Sequence, residues 1–191
     1  MSMAHRLAEQ CAWIIAGAGT GVLAGLSFVA FKVVMAMLLG GSALLPVRNI
    51  GAMALGEQSL LPGYSLALVV AVGMLVHSLL AGMYGAAFGF VVGIASVLRG
   101  SRLALLAAAA GMGLLLWIVN LYIFAPLLFP WFAENNAAVE ITARIIFFGL
   151  PIGLLLLRRV SPDSIPTSIA GGEAPVTQRR LKSKPASVPS R

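Results

Sequence analysis

The chain has 191 residues, of which 60% are hydrophobic and 10% are charged, and its formal net charge is +7. Soluble domains contain about 45–50% apolar and about 25% charged residues, so this composition excludes an ordinary soluble domain and indicates an integral membrane protein. The single cysteine, Cys11, excludes an internal disulfide bond.

Four long apolar runs follow one another along the chain. A helix needs about 20 residues, at about 1.5 Å each, to cross the hydrocarbon core of a bilayer. We therefore predict an all-α integral membrane four-helix bundle over residues 12–157, after an N-terminal segment at 1–11. The first run is too long for a signal peptide, and the second is read as one span, either continuous or broken. The four runs cover approximately residues 12–39, 64–98, 103–129 and 137–157.

A shorter element is predicted between the first two runs. Pro46 suits the first turn of a helix and Gly56 suits its end. The intervening segment is modestly apolar, with Arg48 and Asn49 on its polar side. We predict a short interfacial helix lying at the membrane surface, with an irregular loop as the alternative.

Basic residues flank the runs asymmetrically. They precede the first run, separate the second from the third and follow the fourth, as Arg6, Arg99, Arg102, Arg158 and Arg159. Loops on the cytoplasmic side of a membrane are enriched in Lys and Arg. We therefore expect a multi-pass protein of the bacterial inner (plasma) membrane with both termini in the cytoplasm.

The C-terminal residues 158–191 differ in composition from the rest of the chain. They hold seven basic and two acidic residues and are rich in Pro, Ser and Gly. This composition predicts a disordered basic cytoplasmic tail. Because the basic cluster adjoins a membrane span, we expect it to contact anionic lipid headgroups of the bilayer and expect no nucleic-acid partner.

Glycines recur at every fourth residue in two of the runs. They form one stripe in the first run and one in the second, namely Gly17, Gly21 and Gly25, and Gly85, Gly89 and Gly93. Small residues at this spacing let helix backbones approach closely in lipid, as in a glycine zipper. Two interpretations are open: the stripes pack within one chain, or they join copies in a homo-oligomer or a larger membrane complex.

Each predicted span carries a strong polar residue at a similar depth. Counted from the cytoplasmic end of each span at about 1.5 Å per residue, Arg144 lies at about 21 Å, Asn120 at about 26 Å, Lys32 at about 30 Å and His77 at about 33 Å. The hydrocarbon core is about 30 Å thick. All four side chains are therefore predicted in its outer half or at its outer boundary.

Two more polar residues accompany this layer. Glu140 and Arg144 are four residues apart, so an ion pair along one helix face is predicted. Tyr122 points to a different helix face from Asn120 and suits the interfacial aromatic belt.

The polar layer has two interpretations. In one, the candidates Lys32, His77, Asn120, Glu140 and Arg144, with Tyr122 beside them, form an outward-facing pocket or a path for a proton or a solute. In the other, Lys32 and Arg144 extend to the outer headgroups, while His77 and Asn120 form hydrogen bonds between helices.

Catalytic and cofactor motifs have little support in the sequence. The chain lacks an acidic pair, a nucleophile–base arrangement and a phosphate-binding loop, and two histidines with one cysteine are too few for a zinc site. We expect neither an enzyme nor a bound cofactor or metal.

Several segments resemble those of a known family. "LPVRNIGAMALG", His77 with "YG" at 84–85, and "WIVNLYIFAPLLFPWF" are similar to a family of small four-span bacterial inner-membrane proteins, some of which carry a sodium:proline symporter label. The resemblance covers roughly residues 10–157. It implies the four-span fold and points to His77, Trp117, Asn120 and Tyr122. It implies no substrate, because symporters of that kind have many more spans and paired repeats.

The sequence predicts a location more firmly than an activity. We expect a structural or accessory subunit that packs within an oligomer or a larger membrane complex. The alternative is a small-solute or proton transporter or channel that uses the polar pocket in the outer half of the membrane.

Overall fold

The computed structural model of the protein describes residues 2–132 and 136–160. Within these ranges the chain is all-α, as predicted, and four helical stretches are long and apolar enough to cross a membrane. They are called the first to fourth spans below and cover Met3–Leu38, Leu66–Ile94, Arg102–Leu128 and Ala137–Leu157. The predicted disordered tail lies, beyond Val160, outside the described residues.

The first span is a single helix, α1 (Met3–Leu38). It begins where the hydroxyl of Ser2 accepts a hydrogen bond from the N–H of His5 at 3.4 Å, a common way to satisfy the first turn of a helix. The predicted N-terminal segment is therefore already helical from Met3, since its polar residues do not interrupt a helix. Gly40, with φ +77°, follows the end of α1.

The helix predicted in the first connection is present as α2 (Leu45–Leu55), with Pro46 in its first turn and Gly56 at its end with φ +85°. It is followed by a 3₁₀ turn, Glu57–Leu60. Its contacts run along the second span, which is the continuous helix α3 (Leu66–Ile94). A Cβ atom on Gly51 would lie 2.9 Å from the Val69 side chain, and one on Gly73 would lie 3.0 Å from the Val47 side chain. These paired contacts show that α2 packs lengthwise and antiparallel against the first turns of α3. The predicted position of this helix, flat on the membrane surface, is therefore wrong, because α2 runs alongside a span.

The second span is shorter than the predicted run 64–98. It ends at Ile94 because Ala95 has an extended backbone, and the short helix α4 (Ser96–Gly100) follows. The guanidinium of Arg99 turns back and donates to the carbonyls of Val92 and Gly93. A cation bonded to the last carbonyls of a helix stabilises that end.

The third and fourth spans each contain a π-helical turn. The third span consists of α5 (Arg102–Val119), a π turn (Asn120–Phe124) and α6 (Ala125–Leu128), with a 3₁₀ turn, Pro130–Phe132, after it. The fourth consists of α7 (Ala137–Arg144), a π turn (Ile145–Gly149) and α8 (Leu150–Leu157).

A proline stands two residues after each π turn, at Pro126 and Pro151. Proline has no N–H group, and its ring crowds the carbonyl four residues earlier. The wider turn moves that carbonyl aside, and the N–H of Ala125 then bonds to the carbonyl of Asn120 five residues back. In the fourth span the N–H of Leu150 bonds to the carbonyl of Ile145 in the same way. The prolines therefore explain where both turns occur.

The two glycine stripes meet each other inside the chain. A Cβ atom on Gly17 would lie 2.8 Å from the Cα atom of Gly89, and one on Gly21 would lie 2.9 Å from the Cα atom of Gly85. Since α1 and α3 are in backbone contact there, a larger side chain has no room. Gly25 continues the contact against Ala81 and His77, and Gly93 meets the side chain of Gln10.

The other half of the bundle uses small residues in the same way. Gly113 of α5 lies against the backbone of Arg144, and Gly149 and Gly153 of the fourth span lie against Ala109. The fourth span also packs on α1, whereas α3 and the third span make few contacts with each other. The bundle is therefore closed on three sides and loosely joined on the side between the second and third spans.

Candidate functional site

A cavity of about 360 Å³ lies where the second and third spans are loosely joined. Its volume falls at the lower end of the range of small-molecule sites, roughly 300–1,000 Å³. All four spans and α2 contribute to its wall. The lining side chains are mostly aliphatic or aromatic, and they include Phe28, Ile50, Met53, Leu80, Ala81, Met83, Leu116, Leu121, Phe124, Ala125, Leu128, Phe129, Phe132 and Phe148.

The polar part of the wall comes from three of the spans. His77 and Tyr84 are contributed by α3, Asn120 by the third span, and Glu140 and Arg144 by the fourth. Four of these five residues are candidates from the sequence, and the structure brings them to one cavity. This combination of an apolar wall with a few convergent polar groups is typical of ligand-binding sites in proteins.

A cluster of three charged residues forms one end of this polar wall. Glu140, which is 3% exposed, is paired through one carboxylate oxygen with Lys32 and through the other with Arg144. The second of these is the ion pair predicted from the four-residue spacing, and it is confirmed. The cluster carries two positive charges and one negative charge, so one positive charge remains without a counter-charge inside it.

Lys32 and Arg144 are held by Glu140 and are largely buried, with side-chain exposures of 13% and 16%. Lys32 lies behind Glu140 and does not border the cavity, whereas Arg144 does. The guanidinium of Arg144 also stacks over the ring of Phe28, 5.6 Å from its centroid, which is within the range of a cation–π interaction. Arg144 is thus fixed by an ion pair and by an aromatic ring at the cavity wall.

His77 is fixed by a hydrogen bond and by the same ring, Phe28. Its Nε2 atom lies 2.9 Å from the carbonyl oxygen of Gly25, and a nitrogen beside a carbonyl must be the protonated one. Its ring stacks on Phe28 with a centroid distance of 5.6 Å. When the imidazole is neutral, Nδ1 is left as an acceptor.

Asn120 stands at the first position of the π turn in the third span. The hydroxyl of Tyr84 donates to its Oδ1 atom at 3.4 Å, and this bond links the two spans that are otherwise loosely joined. In this orientation the amide nitrogen of Asn120, with its two hydrogens, remains for another partner. π turns occur frequently at functional sites.

Tyr122 lies apart from the cavity. Its side chain is 61% exposed, and its ring meets Trp117 edge-to-face with a centroid distance of 5.3 Å. The sequence had placed Tyr122 on a different helix face from Asn120, and the wide π turn does not change this. Its position suits an aromatic side chain at the surface of the bundle.

The cavity borders the outer surface of the bundle between α3 and the third span. Three of its lining side chains are also substantially exposed there: Met83 by 55%, Phe124 by 43% and Leu128 by 58%. Because these residues belong to membrane-spanning helices, this side of the cavity faces the lipid. At the far end of the third span, Trp131 donates to the carbonyl of Asn49 at 3.1 Å and fastens α2 over the cavity.

The sequence analysis missed two groups of residues at this site. Tyr84 is seven residues from His77, which places both on one face of α3, so helical periodicity could have indicated it. Phe28 and Phe148 contact each other edge-to-face at 6.4 Å between centroids, but they are distant in the chain. No pattern within either segment indicates that contact.

No protein-family model, no curated protein and no solved structure matches the chain.

Proposed function

We propose that the protein is a small membrane transporter that takes up a solute in the cavity between the second and third spans. The observation that supports this most is the shared cavity itself. All four spans and α2 line it, and His77, Asn120 and Arg144 are among the few polar residues that converge on a mostly apolar wall. Polar side chains inside membrane spans are costly and usually serve a solute or ion path.

The loose contact between α3 and the third span supports movement as well as binding. A transporter must change the access to its site, and the two π turns with their prolines are positions where a helix can bend. Among the described residues that border the cavity, the hydrogen bond from Tyr84 to Asn120 is the polar link between these two spans. Its rupture would let the third span move away from α3.

The accessory-subunit role expected first from the sequence remains a prediction with less support. It rested on the lack of catalytic motifs and on glycine stripes that could pack either within one chain or between chains. Gly17, Gly21, Gly85 and Gly89 pack against one another within the chain, so these stripes are not available for that purpose.

The proposal includes a place and an orientation. The transporter lies in the bacterial inner membrane with both termini in the cytoplasm, because Arg6, Arg99 and Arg102 lie at the ends that this orientation puts there. The first connection, with α2, then faces the outside. The cavity, with α2 in its wall, is reached from the outer half of the membrane.

Uptake by proteoliposomes tests the proposal. Benzenesulfonate and benzyltrimethylammonium are suitable probes, because both fit a small cavity and their permanent charges keep them from crossing lipid unaided. Leu80 lines the cavity, and its neighbour Leu79 is 65% exposed on the outer surface. We expect uptake of at least one probe above that of protein-free liposomes, lost in Leu80→Trp and retained in Leu79→Trp.

Two results would count against transport through this cavity. One is that neither probe enters faster than into protein-free liposomes. The other is that Leu80→Trp, inserted and folded like the wild type, takes up the probes as fast as Leu79→Trp does.

A further inference from the structure

From the charge balance of the cavity wall we infer that the solute is an anionic amphipath, whose acidic group binds Arg144 and whose apolar body lies among the cavity phenylalanines. This inference rests on the proposed function and specifies its substrate class. It begins with the cluster of Lys32, Glu140 and Arg144, which holds two cations and one anion.

The negative charge of Glu140 is already paired with two cations, one at each carboxylate oxygen. The unbalanced charge of the cluster is therefore positive. An unpaired charge within a membrane span is strongly unfavourable. A bound anion would balance the cluster, whereas a bound cation would add to the imbalance.

Arg144 is the one cation of the cluster that borders the cavity, because Lys32 does not line it. A guanidinium has five N–H donors, and the hydrogen bonds that Arg144 makes within the described residues all use Nη1. Its Nε and Nη2 donors remain for a ligand. A planar pair of such donors matches the oxygens of a carboxylate, a sulfonate or a phosphate.

The rest of the wall describes the body of the solute. Phe28, Phe124, Phe129 and Phe132 line the cavity together with aliphatic side chains, so the part of the solute beyond its acidic group must be apolar. Aromatic rings of the solute would gain from edge-to-face contact with these phenylalanines. The exposed lining residues between α3 and the third span give such a molecule an entrance from the bilayer.

The inference is tested by measuring binding to the purified protein in phosphatidylcholine nanodiscs. Three probes share a phenyl ring and differ in charge: benzenesulfonate is an anion, benzyl alcohol is neutral and benzyltrimethylammonium is a cation. We expect benzenesulfonate to bind at least about tenfold more tightly than either of the others, in keeping with a charge-assisted contact. Equal or tighter binding of benzyltrimethylammonium would overturn the inference. Transport through the cavity would survive that result if Leu80→Trp still abolished uptake of the cation.

Variants assign the contact to Arg144. In Arg144→Gln we expect benzenesulfonate to bind at least about tenfold more weakly and benzyl alcohol to bind as before, which shows that the cavity persists. Lys32→Gln removes the same charge from a residue that does not border the cavity, so the affinity for benzenesulfonate should fall less in this variant. An equal loss in both variants would overturn a direct role of Arg144. If Arg144→Gln does not fold, the three-probe comparison on the wild type decides the inference.

Nanodiscs that also contain phosphatidylglycerol separate two sources of the anion. If phosphatidylglycerol competes with benzenesulfonate, the acidic group belongs to a membrane lipid. If benzenesulfonate binds equally in both kinds of nanodisc, the solute is a free amphipathic acid.

Discussion

At the scale of single residues, Glu140 determines how two cations can remain within the spans. Its carboxylate bonds to Lys32 from the first span and to Arg144 from its own helix. Burial of a charge is tolerated when it is paired and hydrogen-bonded. Glu140 therefore has a structural task that is independent of any solute.

Replacement of Glu140 by Gln should destabilise the protein strongly. The two cations would then face each other without a carboxylate, and loss of one member of a buried ion pair costs about 3–5 kcal/mol in soluble proteins. Unfolding by SDS in mixed micelles, monitored by circular dichroism, measures the change. Glu57→Gln is the matched control, since Glu57 is exposed in the 3₁₀ turn after α2. Equal stability of the two variants would contradict the role given to Glu140.

The sequence predicted only part of this charge arrangement. The Glu140–Arg144 pair follows from a spacing of four residues on one helix. The Lys32–Glu140 pair joins residues that are 108 positions apart, and it depends on how the first and fourth spans are aligned. Lys32 was instead given a choice between a pocket and the headgroups, because its partner could not be seen in its own segment.

At the scale of helices, two different devices hold the spans together. The first and second spans touch backbone to backbone along their glycine stripes. The first and fourth spans are joined by the hydroxyl of Ser27, whose single hydrogen is shared between the carbonyl of Phe147 and that of Ala24 in its own helix. That carbonyl lies four residues before Pro151, which has no N–H to offer it. Ser27 thus satisfies a backbone group that the proline leaves free.

Gly17→Ala should weaken the bundle. Its methyl group would lie 2.8 Å from the Cα atom of Gly89, so α1 and α3 would have to separate, at a cost of about 1–3 kcal/mol. Gly19→Ala adds the same group on the same helix, where it meets nothing within 4 Å. The stability of the Gly19→Ala variant in SDS titration should match or slightly exceed that of the wild type. A cost at Gly19 equal to that at Gly17 would show that helix contact is not the cause.

A double-mutant cycle tests the link between Ser27 and Pro151. Ser27→Ala alone should cost about 0.5–1.5 kcal/mol, because the Phe147 carbonyl loses its donor. In the Pro151→Ala background the cost should be smaller, since the alanine introduced there supplies an N–H to that carbonyl. Identical costs of Ser27→Ala in both backgrounds, measured by SDS titration, would mean that the proline and the hydroxyl act independently.

The sequence predicted those features of the helices that depend on residues close together in the chain. Apolar length and four-residue glycine spacing are local patterns, and they predicted the spans and the close contact surfaces. Whether the stripes meet in one chain or between chains is a tertiary question that spacing leaves open. The π turns were not predicted, although Pro126 and Pro151 mark their positions, because a proline in a span also permits a simple kink.

At the scale of the whole molecule, the four spans surround a cavity that is closed on the side of α1 and the fourth span and loosely joined between α3 and the third span. Neither the cavity nor its opening can be read from one helix, since each span contributes only a few of the lining residues. The sequence correctly grouped most of the polar ones. It did so by depth and by the four-residue spacing of Glu140 and Arg144, and it also named Tyr122, which lies at the surface.

The proposed orientation predicts which connections a membrane-impermeant maleimide reaches. In a Cys11→Ser background, Leu61→Cys lies in the connection between α2 and α3, where Leu61 is 61% exposed. Gly100→Cys lies at the end of α4, in the connection between the second and third spans, where an added Cβ atom meets nothing within 4 Å. Leu61→Cys should react in intact spheroplasts, and Gly100→Cys only after lysis. The reverse pattern would mean that the protein has the opposite orientation in the membrane. Equal reactivity of both variants in intact spheroplasts would contradict the four-span arrangement.

Photo-crosslinking tests most directly the claim that a solute occupies the cavity between the second and third spans. The probe is decanesulfonate with a diazirine at the end of its chain, and mass spectrometry locates the crosslinks in the reconstituted protein. The account predicts crosslinks at Met83 and within residues 116–128, suppressed by excess benzenesulfonate and by Leu80→Trp. Crosslinks spread evenly over outer residues such as Ile15 and Leu154, which are 71% and 54% exposed, and unaffected by either treatment, would contradict it.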